Sequence, residues 1–233
     1  MKYFCLMKNF CDKLNIKFDE NIYEKFMIYM KELIEYNKKI NLTSITNEDL
    51  IINRHFLDSI SIFNYKIEEN ATICDIGSGA GFPGIPMKII RDDLKIDLVE
   101  STNKKVEFLK YIVDILNIKN INIINKRVEN VSHETFYREK YDYVVSRAMA
   151  RLDKLLEMSF SLVKINGKYI ALKGKKSDEE LEKAYNTINK MGGVLDTKIY
   201  LKEFDSNLVI IDKIYKTPEI YPRKYNLILK KSL

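Results

Sequence analysis

The residues most able to do chemistry lie together in one short stretch. Cys74-Asp75-Ile76-Gly77-Ser78-Gly79-Ala80-Gly81-Phe82-Pro83-Gly84 places four glycines in eight residues directly after an apolar run. Glycine tolerates positive φ, and its missing side chain lets a ligand lie against the backbone. A tight strand-to-helix turn needs one or two glycines, so this segment reads as a ligand cradle. Two cofactor classes use such a cradle. A dinucleotide brings a pyrophosphate to a helix N-terminus and asks for GxGxxG immediately after the strand. Counted from Gly77, the third glycine falls on Phe82; counted from Gly79, the pattern fits through Gly81 and Gly84 but starts two residues late and takes in Pro83. S-adenosylmethionine has no phosphate and presents an ammonium, a carboxylate, a sulfonium, a ribose and an adenine. Asp75 suits the ammonium, and Glu100 can accept hydrogen bonds from both ribose hydroxyls. Dinucleotide enzymes carry an acid at that second position too, so it is Asp75 together with Gly77, Gly79 and Gly81 that favours the methyl donor.

The surrounding pattern supplies elements to position these groups. Ile22, Phe26, Met30, Leu33 and Ile34 recur at helical spacing behind Asp19, an N-cap candidate, and predict an amphipathic helix over 19–37. A second helix is expected over 49–63. From Ala71 short aliphatic runs alternate with helical stretches: strand 72–76, helix 83–91, strand 95–100, helix 103–116, strands 121–126 and 141–146, helix 152–163, strand 168–173 and helix 178–191. Apolar runs each followed by a helix imply parallel strands covered on both faces, a doubly wound α/β sheet. Stretches 194–203 and 207–216 are joined by too few residues for a crossover helix and so predict an antiparallel hairpin that ends a seven-stranded sheet. In this architecture ligands bind beyond the carboxyl ends of the strands, where the glycine segment falls. The expected divisions are a helical segment over 1–66, the main domain over 67–217 and a basic tail over 218–233.

Composition narrows the class. The 233 residues suffice for one sizeable α/β domain. No apolar stretch approaches the roughly 18 residues of a membrane span, and Lys2, Lys8, Asp12 and Lys13 interrupt the start, so no signal peptide and a cytoplasmic location are expected. Cys5, Cys11 and Cys74 form no CxxC pair and His55 lies far from His133, which indicates neither a disulfide framework nor a zinc site. The net charge is +6; residues 213–233 carry six basic side chains against Glu219, so they account for +5 of it. With Tyr215, Tyr221 and Tyr225 interleaved, that end could bind phosphates and stack on bases, or be a solvated tail.

Several further motifs occur in a fixed order: Asn41-Leu42-Thr43-Ser44, Arg54-His55-Phe56-Leu57-Asp58-Ser59, the glycine segment through Pro86, Lys104-Lys105-Val106, Arg127-Val128-Glu129, Ser146-Arg147-Ala148, Ala171-Leu172-Lys173, and Thr217-Pro218 followed by Tyr221-Pro222-Arg223-Lys224. In this the chain resembles, over nearly its whole length, the bacterial 16S ribosomal RNA guanine-N7 methyltransferases, also called the glucose-inhibited division protein B family. The resemblance implies the class I, Rossmann-like S-adenosylmethionine-dependent fold and methylation of N7 of guanine 527 in 16S ribosomal RNA, free or in the small ribosomal subunit. It implies that Gly77 and Phe82 contact the cofactor, that Val128 and Glu129 lie beside its adenine, and that Arg147 stands at the mouth of the site. The chain departs from the family where Ser206-Asn207-Leu208 replaces a common arginine, and after Lys224, where Tyr225-Asn226-Leu227-Ile228-Leu229 replaces a Gly-Thr-Pro run.

The residues agree with that target by what they lack. Methylation at carbon 5 of a pyrimidine needs a cysteine nucleophile, yet Cys74 lies inside an expected buried strand and the other cysteines precede the domain. Methylation of an adenine amine uses an Asn/Asp-Pro-Pro-aromatic turn after the fourth strand, where this chain has Ser146-Arg147-Ala148-Met149. Guanine N7 offers an in-plane lone pair and no proton, so orientation alone can suffice and no catalytic acid or base is nominated. Arg147 is expected at the cofactor carboxylate or an RNA phosphate. Arg54 and His55 are expected to contact the substrate RNA from a helix that caps the site, with an Arg54–Asp58 surface ion pair as the alternative. Lys104, Arg127, Arg223 and Lys224 are expected phosphate contacts. Neither a metal nor a membrane is expected, and the protein should act as a monomer. The competing functions are a methyltransferase of the same fold acting on a small molecule or protein, and a dinucleotide-binding oxidoreductase.

Overall fold

A computed structural model describes residues 1–233. Helix α1 spans Phe4–Lys13 and α2 Glu20–Asn37. Asp19 caps α2 by accepting a hydrogen bond from the Ile22 amide at 3.0 Å, as its position before the apolar repeat predicts. Residues 48–64 form one irregular rod: α3 (Glu48–Leu50), a π-helical stretch (Ile51–Leu57), α4 (Asp58–Ile60) and a closing 3-10 turn. Then follow β1 (Thr72–Ile76), α5 (Gly84–Ile90), β2 (Lys95–Val99), α6 (Asn103–Ile115), β3 (Ile121–Ile124), α7 (Val128–Val131), β4 (Tyr141–Arg147), α8 (Leu152–Ser159), β5 (Val163–Lys173), α9 (Ser177–Lys190), β6 (Gly193–Leu201), β7 (Ser206–Lys213) and α10 (Tyr225–Lys230). No helix is long and apolar enough to cross a membrane.

The sheet has seven strands in the order β3-β2-β1-β4-β5-β7-β6; β1 to β5 run parallel, and β7 runs antiparallel to both β5 and β6. Strand order reverses between β1 and β4, so the loops leaving these two neighbours open the crevice where ligands bind. Buried residues alternate in side as the two-residue pleat requires. Ile73, Tyr143, Val145, Ile170 and Leu172 join a core with α1, α2, residues 48–64, α5 and α6. Cys74, Ile76, Val144, Tyr169 and Ala171 join a second core with α7, α8, α9 and α10. The first face is anchored by large aromatics: Phe26, Tyr29 and Phe56 are fully buried, and truncating any one to alanine should cost about 3–5 kcal/mol.

The doubly wound sheet and its terminal hairpin are as the sequence predicts, but several elements differ. Helices α1, α7 and α10 were not foreseen. The helix expected over 49–63 contains a π-helical stretch. The helix expected over 152–163 stops at Ser159, and β5 begins at Val163 rather than 168. Its early part pairs irregularly, with Tyr141 opposite Val163 but Tyr143 opposite Lys168.

Candidate active site

The segment after β1 turns back on itself. Gly77, Gly79 and Gly81 adopt φ of 65°, 59° and 100°, values a side-chain-bearing residue reaches only at a cost of about 1–2 kcal/mol each. The Gly77 and Ser78 amides donate to the Val99 carbonyl at 2.8 and 3.2 Å, and the Gly79 amide donates to Glu100 Oε2 at 3.0 Å. The end of β2 thus shapes the loop. A Cβ on Gly79 would meet nothing nearer than the Gly77 carbonyl at 3.8 Å, so the loop is open where a ligand would lie. Gly84 is glycine for the opposite reason: a Cβ there would come within 2.4 Å of Leu98 and 2.8 Å of Asp75 Oδ2.

Asp75 sits fully buried beneath this loop. Its Oδ2 accepts from the Gly84 amide at 2.9 Å, while Oδ1 has no partner. Burial pushes its carboxyl up to about 7, against the Gly84 hydrogen bond. An orphaned buried acceptor of this kind would be satisfied by a cation, and it suits the ammonium of S-adenosylmethionine. Glu100, also buried, accepts from the Gly79 amide and, through Oε1, from the Thr102 amide at 2.8 Å. Each of its oxygens keeps a second lone pair, so a ribose diol can still be bound. The open Gly79 position, the free Asp75 oxygen and the fixed Glu100 carboxylate together fit the methyl donor.

Phe82 is buried in an aromatic stack. Its ring lies 4.5 Å from His55 and 5.5 Å from Tyr29, and the Arg147 guanidinium sits 4.9 Å above it. The Tyr29 hydroxyl donates to the Ala80 carbonyl, which ties α2 to the loop. From the end of β4, Arg147 donates to the Arg54 carbonyl at 2.8 Å and to Asp58 Oδ2 at 3.1 Å, and contacts His55 Nδ1 at 3.0 Å. The π-helical register makes the first of these possible. The Asp58 amide reaches back five residues to Asn53, leaving the Arg54 carbonyl, its usual α-helical acceptor, for Arg147.

A cavity of about 560 Å³ opens beside this cluster at the ends of β4 and β5, lined by Arg54, Asp58, Arg147, Met149, Lys173 and Glu180 among others. A smaller one, about 190 Å³, holds Ser101, Arg127, Val128, Glu129 and Met149. Met149 borders both, and its sulfur lies 2.9 Å from where a Gly77 Cβ would stand. The donor site and the larger cavity therefore meet at Gly77 and Met149.

The structure brings Asp75, Gly77, Gly79, Gly81, Phe82, Glu100, Val128, Glu129 and Arg147 around this crevice, and it redirects other expected residues. His55 is buried between Phe82, Arg147 and Thr43, not open to RNA. Arg54 is exposed at the cavity rim and donates to the Phe204 carbonyl at 2.7 Å; Asp58 pairs with Arg147 instead of Arg54. Arg223 turns inward, where its guanidinium grips the buried Glu157 at 2.6 and 2.8 Å. That pairing is structural, because a buried carboxylate would be left unpaired without it. Lys213, counted with the basic tail, is fully buried. Lys224, Arg127 and Lys104 remain exposed, Arg127 lying over the Tyr225 ring at 4.9 Å. Lys38, Lys39 and Lys105 were not among the expected phosphate contacts. With Lys104, Asn37, Asn41 and Thr102 they line a groove where α2 ends and α6 begins. The repeated tripeptide Asn37-Lys38-Lys39 and Asn103-Lys104-Lys105 was the available signal.

The profile of the family described as GidB, rRNA small subunit methyltransferase G, matches residues 22–209. The chain belongs to this family. It is 42% identical over 238 residues to the ribosomal RNA small subunit methyltransferase G of Clostridium perfringens (strain 13 / Type A) and 40% identical over 238 residues to that of Clostridium tetani, covering 100% of each chain in both cases. As a member of the family it is an S-adenosylmethionine-dependent methyltransferase. Solved structures share the fold at low identity. A putative S-adenosyl-L-methionine-dependent methyltransferase from Methanococcus maripaludis matches with TM-score 0.57 and 19% identity, over 80% of this chain and 92% of that one. The M. jannaschii protein TYW2 in complex with AdoMet matches with TM-score 0.55 and 15% identity, over 73% and 80%.

Proposed function

We propose that this methyltransferase transfers the methyl group of S-adenosylmethionine to N7 of a guanine in 16S ribosomal RNA, guanine 527 in the family's pattern, by direct in-line transfer without a general base. The donor, when bound, supplies an electrophilic methyl group on a cationic sulfur. The chain's residues hold and orient: Gly77, Gly79 and Gly81 leave room along the backbone, Asp75 meets the ammonium, Glu100 the ribose, and Val128 and Glu129 flank the adenine.

One observation carries the choice of target atom. The three carboxylates that line the larger cavity are each paired with a cation: Asp58 with Arg147 at 3.1 Å, Glu180 with Lys173 at 2.8 Å and Asp205 with Lys175 at 2.6 Å. Each is thus already engaged by a cation. Cys74 is buried in β1, and its thiol is held well up by burial, so no thiolate nucleophile serves the cavity. Such a site favours an acceptor that attacks through an existing lone pair, as N7 does, with rate enhancement from positioning and exclusion of water. Arg147 is suited to holding RNA or the cofactor carboxylate before transfer, whereas the methylated guanine is cationic and would be repelled by it, which aids release. Exposed Arg54, Lys104, Arg127 and Lys224 are the RNA contacts we assign, joined by Lys38, Lys39 and Lys105. The reading takes the RNA or the small subunit as partner, a cytoplasmic monomer as the working form and no metal; no three His, Cys, Asp or Glu side chains lie together as a metal site would need.

The test is nucleoside mass spectrometry of small-subunit RNA from cells lacking the protein, before and after incubation with the purified enzyme and donor. The expected gain is 7-methylguanosine. A methyl group on another atom would overturn the target assignment while leaving the methyltransferase intact.

A further inference from the structure

The smaller cavity has a wall that the glycine segment does not explain. It is lined by Ser101, directly after Glu100, by Val128 and Glu129 at the start of α7, and also by Tyr225 and Leu229 of α10. A ligand whose ribose hydrogen-bonds Glu100 must send its base toward the ends of β2 and β3, the strands next outward from β1. The base would therefore enter this cavity, with α10 facing it. Resting on the cofactor reading above, we propose that residues 221–233 form the outer wall of the adenine pocket, with Tyr225 and Leu229 as the contact residues and Arg223–Glu157 as the latch.

The segment is built to stay in place. Glu157 is fully buried in α8 and is held by two Arg223 nitrogens and by the Arg223 amide at 3.3 Å. The same guanidinium donates to the Lys231 carbonyl at 2.8 Å, closing the segment into a loop around α10. Lys154 donates to the Leu229 carbonyl at 2.6 Å, and the Ser232 hydroxyl bonds Asp153. Ile228 is fully buried against the core that includes Val128 and Met158. Leu229 keeps 45% exposure although the helix around it is pinned, so an apolar side chain is left for another surface to cover. Arg127 lies over Tyr225, which keeps that ring beside the pocket.

Binding separates a cofactor wall from a segment that only packs. S-adenosylhomocysteine and 5′-methylthioadenosine are titrated calorimetrically into the full-length protein, into Tyr225→Ala/Leu229→Ser, and into Leu227→Ser as an exposed control on the same helix; melting temperatures are read in parallel. The expected result is a roughly ten-fold loss of affinity for both ligands in the double variant, within the range that aromatic contact with a base is worth, with no change in the control. Both ligands carry adenine, and only one carries the amino-acid portion. A loss confined to S-adenosylhomocysteine would overturn the assignment to the adenine end. Affinity unchanged within two-fold would overturn the wall altogether, and affinity lost only in step with melting temperature would reduce the segment to packing. Failure of the unaltered protein to bind either ligand would instead overturn the cofactor reading itself.

Discussion

Arg147 and His55 hold each other in a single arrangement: an Arg147 guanidinium nitrogen lies 3.0 Å from His55 Nδ1, while His55 Nε2 lies 2.8 Å from the Thr43 hydroxyl. Arginine can only donate, so Nδ1 must accept and the imidazole proton sits on Nε2, facing Thr43. Burial, reinforced by the Arg147 charge, lowers the His55 pKa to about 4. A neutral ring can stack on Phe82 beneath a guanidinium where an imidazolium could not.

That pairing carries a pH signature. Between about pH 6.5 and about pH 4 the unfolded chain binds a proton at His55 that the folded chain does not, so stability falls as pH drops through this window and is whole above it. Denaturant unfolding at pH 7.5 and pH 5 should show the wild type losing about 2 kcal/mol more than His55→Gln over that interval. An equal loss in both proteins would mean that the ring is not held neutral.

Two glycine substitutions should fail in different ways. Gly79→Val places its side chain in open space at φ 59°, so the protein should fold with a penalty of about 1–2 kcal/mol and lose cofactor binding. Gly84→Ala drives a methyl group into Leu98 and Asp75 and should destabilise the domain itself. Melting curves and calorimetric titration with S-adenosylhomocysteine distinguish the two. Full affinity in Gly79→Val would mean that the loop is merely a turn.

Asp75 makes a third case. Its folded carboxyl titrates near 7, well above the usual carboxylate range, so ionising it in place costs stability progressively from about pH 4 to about pH 7. Asp75→Asn should accordingly gain in melting temperature relative to wild type more at pH 8 than at pH 5, while losing affinity for the donor's ammonium. Donor binding by the wild type should strengthen as pH rises through 7, yet single-turnover methyl transfer at saturating donor should stay flat from about pH 6 to 9, because N7 has no proton to lose. Undiminished donor affinity in the variant would leave Asp75 with only the bracing of Gly84.

The groove between α2 and α6 offers a test of RNA contact. If Lys39, Lys104 and Lys105 each neutralise a phosphate, changing all three to glutamine should reduce the salt dependence of RNA binding by a slope of roughly 2–3, at about 0.7–0.9 per contact. Cofactor affinity should not move. A wild-type slope in filter binding across a salt series would remove this groove from the RNA path.

Local pattern alone was enough for the alternation of strand and helix, the terminal hairpin, the Asp19 cap and the glycine segment after β1, because each is written in spacing a few residues long. The two-sided burial of β1 and β4 followed from aliphatic runs that no half-exposed strand would carry. What the sequence could not decide was how its charges are spent. Arg223 looked like a free cation until the fold set the buried Glu157, 66 residues away in sequence, against it. Asp58 stands one helical turn from Arg54, yet pairs with Arg147, 89 residues on, because the π-helical stretch and the end of β4 meet there. The wall that α10 contributes beside Val128 and Glu129 is equally a product of packing: Tyr225, Ile228 and Leu229 stand at helical spacing, but the spacing does not say which surface that face meets, and it is the burial of Ile228 against Val128 and Met158 that places it. Spacing determines which residues share an element. Which residues share a site depends on long-range contacts, whose energies belong to the folded core and not to any stretch of chain that can be read by itself.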